Sequence, residues 1–192
     1  MFERLIASAL WARALPASAL LALTIVPNAA HAAETCHSHG AQYATTRTCV
    51  SSVLASQGGN SYGPDQVTGL GDGAWCEGVA GPGIGQTIIV HQKPAQVIGA
   101  MMIVNGYAKT PQTFRANGRV KRAKIETSGG VVRTVTLKDT ADMEEIKVPP
   151  SRVTWIRLTI LEVYPGERHA DTCISKFYFN HEEFGAIEEE RK

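Results

Sequence analysis

The sequence carries almost no net charge. Its 19 lysine and arginine residues are balanced by 18 aspartate and glutamate residues, giving a formal charge of +1 at pH 7. Proteins that bind nucleic acid or anionic membranes by general electrostatic attraction carry an excess of clustered Lys and Arg. The charge balance therefore argues against both classes of partner.

The sequence also lacks a hydrophobic run long enough to span a membrane. Its longest apolar stretch, residues 14–26, is well short of the roughly 20 residues that a spanning helix needs. Arg4 and Arg13 precede this stretch, and Ala30-His31-Ala32 follows it with the small-x-small pattern of a cleavage site. We predict that residues 1–32 are a secretory signal peptide, with an uncleaved anchor as the alternative. Cleavage leaves 17 basic and 17 acidic residues in a secreted or periplasmic protein without a membrane span.

The motifs of the common catalytic classes are missing as well. The sequence contains no Ser-His-Asp grouping, no phosphate-binding glycine loop and no zinc-binding helix motif. It has no internal repeat and no low-complexity tract. The 160 residues after the predicted signal peptide suit one domain with a sizeable core. We therefore expect a single domain, and we predict no cofactor.

After residue 85 the sequence shows no sustained helical period, and short strands separated by turns are predicted instead. Ile156, Leu158 and Ile160 occupy every second position, which is the period of a strand with one buried face. The predicted strands are 87–90, 97–104, 120–127, 131–138, 145–148, 155–163 and 174–179. The predicted core side chains are Ile125, Val135, Leu137, Ile156, Leu158 and Ile160. Strands at this spacing predict an antiparallel sandwich or barrel.

The remaining segments divide around this array of strands. Residues 33–50 are polar and are predicted to form an N-terminal arm, and residues 181–192 a polar tail. The domain is predicted to span 51–180, with a candidate first strand at 52–56 and a turn at 111–116. The glycine-rich stretch 57–85 lies between this candidate strand and the turn. It needs side chains that fix it to the rest of the domain, because glycine adds backbone freedom.

Cys36, Cys49, Cys76 and Cys173 all follow the predicted cleavage site. An even number of cysteines in an exported chain favours disulfides over free thiols. Three connectivities are open. We favour Cys36 with Cys49, because that pair is local, and Cys76 with Cys173, because that bridge would join two loops at one end of the fold.

The N-terminal arm has a second interpretation as a metal site. His37 and His39 lie close to Cys36, and imidazole and thiolate are good ligands for copper and zinc. We favour a solvated arm that is held by a disulfide, and we predict no metal.

The stretch with the densest group of polar and aromatic side chains is ILEVYPGERHADTCIS, residues 160–175. Pro165-Gly166 interrupts the strand pattern, because proline has no amide hydrogen and glycine accepts turn dihedrals. The stretch holds Glu162, Tyr164, Glu167, Arg168, His169 and Asp171. Such a polar and aromatic loop at a strand end is a usual position for binding.

Five stretches of the sequence carry a resemblance to a known family. The strings SYGPDQV (61–67), AWCEGVAGPGIG (74–85), IVNGYAK (103–109), FRANGRVKR (114–122) and LEVYPGERHADTCIS (161–175) resemble the discoidin-like glycan-binding domain named after a secreted bacterial NAD glycohydrolase toxin. The resemblance covers about 50–179. It implies a galactose-binding-like jelly-roll β-sandwich that binds sugar through loops at one end and has no catalytic activity.

The resemblance also implies a set of ligand-binding residues. They are Trp75, Glu77, Asn105, Tyr107, Asn117, Arg119, Glu162, Tyr164 and Asp171. An aromatic ring can cover the apolar face of a sugar, and amide, guanidinium and carboxylate groups can bind its hydroxyls. A structural role is the alternative, in which Glu162, Arg119 and Asp171 form a buried ion-pair network and Trp75 packs in the core.

Three further hypotheses concern a calcium site, a hydrolase and a protein partner. Many discoidin-like sequences have Asp-Gly-Asp before the tryptophan, where this chain has Thr68-Gly69-Leu70-Gly71-Asp72, so we predict no calcium site. A glycoside hydrolase would need a carboxylate pair, drawn here from Glu77, Glu162 and Asp171. A protein-interaction module, gripping a partner protein of the bacterial envelope with the same loops, is the main alternative to glycan binding.

Overall fold

The computed structural model describes residues 34–41, 44–68 and 71–180. The predicted signal peptide and the polar tail lie outside these residues. The strands are β1 (Thr35–Ala41), β2 (Ala44–Val50), β3 (Trp75–Cys76), β4 (Thr87–Asn105), β5 (Gly118–Thr127), β6 (Val132–Thr136), β7 (Met143–Tyr164) and β8 (Thr172–Phe179). The helices are α1 (Asp65–Thr68) and α2 (Pro111–Ala116). No helix among the described residues is both long and apolar enough to cross a membrane.

The two longest strands of the described residues are β4 and β7. The sequence pattern predicts each of them as two shorter strands, and this prediction is wrong. The ladder between β4 and β7 shifts register between His91 and Gln96 and again between Ile98 and Ala100, but the strands continue through both shifts. Such irregularities bend a strand without ending it.

The continuous strands let β4 and β7 take part in both layers of a sandwich. One layer contains β1, β2, the start of β4, the end of β7, β5 and β6. The other contains the start of β7, the end of β4, β8 and β3. Neighbours are antiparallel except for a short parallel contact between β5 and β8. The predicted all-β, antiparallel jelly-roll sandwich is confirmed.

The predicted core is also confirmed. Ile125, Ile156, Leu158 and Ile160 have no solvent exposure and Leu137 has 1%, whereas Val135 is partly buried and packs against the same cluster. The other layer contributes mainly large side chains to this core, namely Ile98, Met101, Ile103, Ile146, Phe177 and Phe179. Burial of such side chains contributes about 1.5–3 kcal/mol each relative to full exposure.

Both predicted disulfides are present. Cys36 is bonded to Cys49 and Cys76 to Cys173, and the described part of the chain has no free cysteine. Most of the segment predicted as an arm forms the β1–β2 hairpin, which the sequence pattern did not predict. The first bridge lies within this hairpin, and β2 pairs with β4 at the edge of the sheet.

The predicted strand at 52–56 is not formed. This segment instead crosses over β3 in an irregular path. The indole Nε1 of Trp75 donates a hydrogen bond to the carbonyl of Ser52, at 2.8 Å, and the amide of Leu54 donates to the carbonyl of Cys76. The segment makes isolated hydrogen bonds to β3 and not the regular series that two paired strands form, so it is not a strand.

Candidate ligand-binding cleft

A cleft with a volume of about 560 Å³ opens at one end of the sandwich. Its walls come from loop 54–62, from the β4–β5 connection with α2, and from the β7–β8 loop. The residues that line it are Leu54, Gln57, Asn60, Tyr62, Tyr107, Lys109, Thr110, Gln112, Thr113, Arg115, Ala116, Asn117, Glu167, Arg168, His169 and Asp171. The volume falls within the range of small-molecule sites.

Two tyrosines form the aromatic part of this cleft. The Tyr62 and Tyr107 rings meet edge to face, with centroids 6.1 Å apart. Tyr107 is only 6% exposed, and burial, followed by the nearby Tyr62 and Asp72, raises the pKa of its phenol. Within the described residues, neither tyrosine hydroxyl has a hydrogen-bond partner. Both are therefore available to a ligand that reaches them.

Helix α2 forms a rigid wall of the cleft although it has only six residues. Its start is fixed by a capping box, in which Thr110 Oγ1 accepts from the Thr113 amide and the Thr113 side chain interacts with the Thr110 amide. Pro111 at the first helical positions costs no hydrogen bond, because that amide would be unpaired in any case. Thr113 Oγ1 also donates to the carbonyl of Tyr107, which ties the helix to the aromatic pair.

The β7–β8 loop is pinned against the end of this helix. The amide of Glu167 donates to the carbonyl of Arg115, and the amides of Arg168 and His169 donate to Ala116. The carbonyl of Asp171 accepts from the amide of Gly118 at 2.9 Å. These bonds use backbone groups only. The side chains of this loop have no hydrogen bond or ion pair within the described residues, so they are free to meet a ligand.

The Cys76–Cys173 bridge holds the base of the cleft. It packs with Ala74 and Tyr107, and Leu54 and Tyr62 cover this small cluster. The bridge joins the paired strands β3 and β8, at the ends where the loops begin, and not the two loops that the sequence pattern predicted.

Trp75 and Glu77, which flank this bridge, are fully buried. The Glu77 carboxylate accepts from the amides of Thr172, at 3.0 Å, and Val79, at 2.9 Å. Burial raises the pKa of Glu77, these two hydrogen bonds oppose the rise, and the nearby Asp171 adds to it. Both side chains therefore hold the loops in place and do not line the cleft.

Arg119 and Asn105 are also bound internally. Arg119 donates to both carboxylate oxygens of Asp139, each at 2.9 Å, and to the carbonyls of Asn117 and Pro165. Asn105 is 3% exposed and exchanges two hydrogen bonds with the backbone of Val120. These contacts clamp the loops around the cleft.

Gly106 lies in the turn between the end of β4 and Tyr107. It has a φ of +70°, and a Cβ there would lie 2.6 Å from Arg119 Cγ and 2.9 Å from the Phe114 ring. Only glycine fits both the conformation and the close approach.

Glu162 and Tyr164 do not line the cleft. Glu162 forms ion pairs with Lys121 and Arg122, and Lys121 lowers the pKa of this carboxyl group. The Tyr164 hydroxyl donates to the carbonyl of Leu137 at 3.1 Å. The proposed ion-pair network of Glu162, Arg119 and Asp171 is therefore not formed, since the first two have other partners.

Of the predicted site residues, the structure places Tyr107, Asn117 and Asp171 around the cleft. The Asn117 amide group donates to the Thr113 carbonyl, and its side-chain oxygen has no partner among the described residues. Sequence reasoning did not single out Tyr62 or Arg115 as site residues, although both stand in or beside the family-like strings. The sequence pattern places Glu167, Arg168 and His169 in the loop without indicating an individual binding role.

The N-terminal hairpin offers one group of metal-type ligands, Glu34 with Cys36 and Cys49. Both cysteines are in a disulfide, so neither can supply a thiolate. His37 and His39 stand next to each other on β1, with ring centroids 6.3 Å apart.

Comparison with known proteins identifies the family. The sequence profile of the NAD glycohydrolase translocation F5/8 type C domain matches residues 40–180. The chain belongs to this family. No curated protein matches this discoidin-like chain.

Solved structures share the fold of this discoidin-like domain at low sequence identity. A family 32 carbohydrate-binding module of Clostridium perfringens, solved with GalNAc-β-1,3-galactose, has a TM-score of 0.53 at 12% identity, over 70% of this chain and 94% of that one. The family 32 module of Clostridium perfringens NanJ, solved with galactose, has a TM-score of 0.52 at 15% identity, over 70% and 92%. Arabinofuranosyltransferase AftD from Mycobacteria has a TM-score of 0.55 at 14% identity over 75% of this chain. The chain spans only 10% of that enzyme's length.

Proposed function

We propose that the protein is an exported, non-catalytic carbohydrate-binding module that holds a glycan in the loop cleft. The observation that carries this proposal is the cleft itself, which combines an aromatic pair with the side chains of the β7–β8 loop, and these have no hydrogen bond or ion pair within the described part of the chain. Sugars present apolar ring faces and many hydroxyls, and they need both features.

The proposed site consists of Tyr62, Tyr107, Asn117 and Asp171. The Tyr62 ring would cover a sugar face, and the Tyr107 hydroxyl would bond to a sugar hydroxyl. The Asn117 side-chain oxygen and the Asp171 carboxylate would accept hydrogen bonds from two more hydroxyls. The ligands of the two carbohydrate-binding modules with this fold, galactose and GalNAc-β-1,3-galactose, support a galactose-type sugar as the first candidate.

The proposal of an exported, non-catalytic protein has separate support. Two disulfides suit an oxidising compartment, which agrees with the predicted signal peptide. The three acids of the hydrolase hypothesis do not meet in the cleft, because Glu77 is buried and Glu162 is bound to Lys121 and Arg122.

The alternative of a partner protein in the envelope has one observation in its favour. Val79 and Ile84 are 36% and 51% exposed on the loop that follows β3. A partner protein that covered this loop would remove both side chains from water.

A glycan array with the oxidised protein tests the proposal. We expect binding to glycans that end in galactose or GalNAc, with weakening by Asp171→Asn and no effect of Val79→Ser. Absence of any bound glycan, together with retention of an envelope protein that Ile84→Ser abolishes, would establish the alternative.

A further inference from the structure

A second recess lies on the outer face of the sheet and is formed by β2 and β4. Its volume is about 490 Å³, and its lining residues are Thr45, Arg47, His91, Gln92, Lys93, Ala95 and Thr154. None of them lines the loop cleft. The recess is therefore a separate site from the proposed glycan cleft.

The strand register brings three basic side chains together in this recess. Arg47 of β2 pairs directly with His91 of β4, and Thr45 pairs with Lys93. Directly opposed residues on one face of an antiparallel pair have Cβ atoms about 4.5–5.5 Å apart. Arg47 and His91 are such a pair, and Lys93, on the same face of β4, is the diagonal neighbour of Arg47 at about 7–8 Å, within reach of long side chains.

No acidic residue lines the recess, and one acid outside it, Glu34, lies beside the Cys36 sulfur that Arg47 contacts. Among the described residues, neither Arg47 nor Lys93 forms an ion pair, and Arg47 donates only to the sulfur of Cys36. The next basic residue on this face, Arg157, stacks on Trp155 and lies 3.9 Å from Glu126. Arg47 and Lys93 therefore leave two positive charges on this face, and both would attract an anion in the recess.

The pKa of His91 responds to the charges around the recess. This pKa is lowered by burial, then by Arg47 and Arg157, and Glu34 alone acts in the opposite direction. The imidazole is consequently neutral at pH 7, and a bound anion would favour its protonated form.

We propose that Arg47, His91 and Lys93 form a binding site for a small oxyanion, such as a phosphate, sulfate or carboxylate group. Arg47 supplies a planar fork of donors that fits an oxyanion, and Lys93 supplies a mobile charge. The hydroxyls of Thr45 and Thr154 complete the recess with neutral donors. Binding takes up a proton at His91, so the affinity rises as the pH falls.

Sulfate is the best first probe, because its charge does not change between pH 5 and 8. The experiment follows the His91 ring signals of the full-length protein by NMR while sulfate replaces chloride at constant ionic strength. We expect saturable shifts at His91, an upward shift of its pKa, and an affinity about tenfold higher at pH 5.5 than at pH 7.5. Glucose 1-phosphate, compared with glucose and with inorganic phosphate, shows whether the anion is taken free or on a sugar.

Two variants and one control identify the site. Arg47→Gln and Lys93→Gln should each weaken sulfate binding at least fivefold, and Lys93 is exposed, so its replacement leaves the fold intact. Lys109→Gln, which changes the loop cleft, should leave sulfate binding unaltered. Sulfate shifts at His169 instead of His91, or unchanged affinity in both recess variants, would overturn the proposal. Neither result depends on glycan binding.

Discussion

The rings of Tyr62 and Tyr107 meet edge to face, with their centroids 6.1 Å apart and their planes at 87°. Tyr107 is nearly buried, and Tyr62 is only partly buried and packs against it. Both tyrosines line the same cleft. Replacing Tyr107 by alanine would empty a buried site at a cost of roughly 3–5 kcal/mol. That variant would therefore lose stability whether or not the cleft binds sugar, and smaller changes are needed.

Tyr107→Phe removes only the unpaired hydroxyl. We expect sugar affinity to fall about three- to tenfold, the value of one hydrogen bond, and the melting temperature to stay the same. Tyr164→Phe is the matched control, because it breaks the bond to the Leu137 carbonyl outside the cleft. It should lower the free energy of unfolding by about 1 kcal/mol and leave affinity unchanged. Unchanged affinity in Tyr107→Phe would remove this hydroxyl from the site.

Asp171→Asn tests the carboxylate of the cleft. A charged hydrogen bond contributes about 1.5–3 kcal/mol, so we expect sugar affinity to fall at least tenfold. Stability should hold or rise slightly, because the charge near the buried Glu77 disappears. Asp142→Asn, in the turn before β7, should leave sugar affinity unchanged, because the Asp142 carboxylate accepts from Thr140 Oγ1 away from the cleft. Titration calorimetry and thermal unfolding of both variants measure this, and full affinity in Asp171→Asn would contradict the proposed site.

Glu77→Gln should reveal a pH-dependent contribution to stability. Its amide nitrogen would face a backbone donor, so at least one of the hydrogen bonds to Thr172 and Val79 is lost, at a cost of about 1–3 kcal/mol. Because the folded pKa of Glu77 is raised, the wild-type group gains stability as the pH falls through this pKa towards 4.5. The stability gap between wild type and variant should therefore be larger at pH 4.5 than at pH 7. Urea unfolding at both values measures it, and a smaller gap at low pH would show that the pKa is not raised.

Arg119→Lys should loosen the loops around the cleft. Lysine cannot reproduce the paired hydrogen bonds to Asp139 and the bonds to the carbonyls of Asn117 and Pro165. We expect a loss of about 2–4 kcal/mol in the free energy of unfolding. Hydrogen exchange should rise in α2 and in the β7–β8 loop. The outcome that would contradict the clamp is unchanged exchange in both segments.

The two disulfides should differ in their effects. In the chain-entropy model the Cys76–Cys173 bridge, which spans 97 residues, contributes roughly 4–5 kcal/mol, and the Cys36–Cys49 bridge, which spans 13, about 3 kcal/mol. Replacing Cys76 and Cys173 by serine should also abolish sugar binding, because their bridge supports Tyr107. Replacing Cys36 and Cys49 should leave sugar binding intact. Equal loss of binding in both variants would show that the effect is global.

Local patterns predicted the core because strand alternation is a short-range signal. Ile156, Leu158 and Ile160 point inward in any sandwich that contains their strand, whatever its neighbours. The same short range explains the error in β4 and β7. A run of polar residues with Pro94 looks like a strand end, but only the facing strand shows that the ladder continues past the shift.

By itself, the sequence determined the fold class and the family, and it favoured the two disulfide pairs over the other open connectivities. Only the tertiary structure decided what each polar side chain does. Trp75, Glu77 and Arg119 have the chemistry of sugar ligands, yet their hydrogen bonds are taken up by the protein. The Asp171 side chain, in contrast, has no hydrogen bond to any described residue and lines the cleft. The reason is physical: a side chain binds a ligand only if it is accessible and unpaired, and both properties depend on segments distant in the chain.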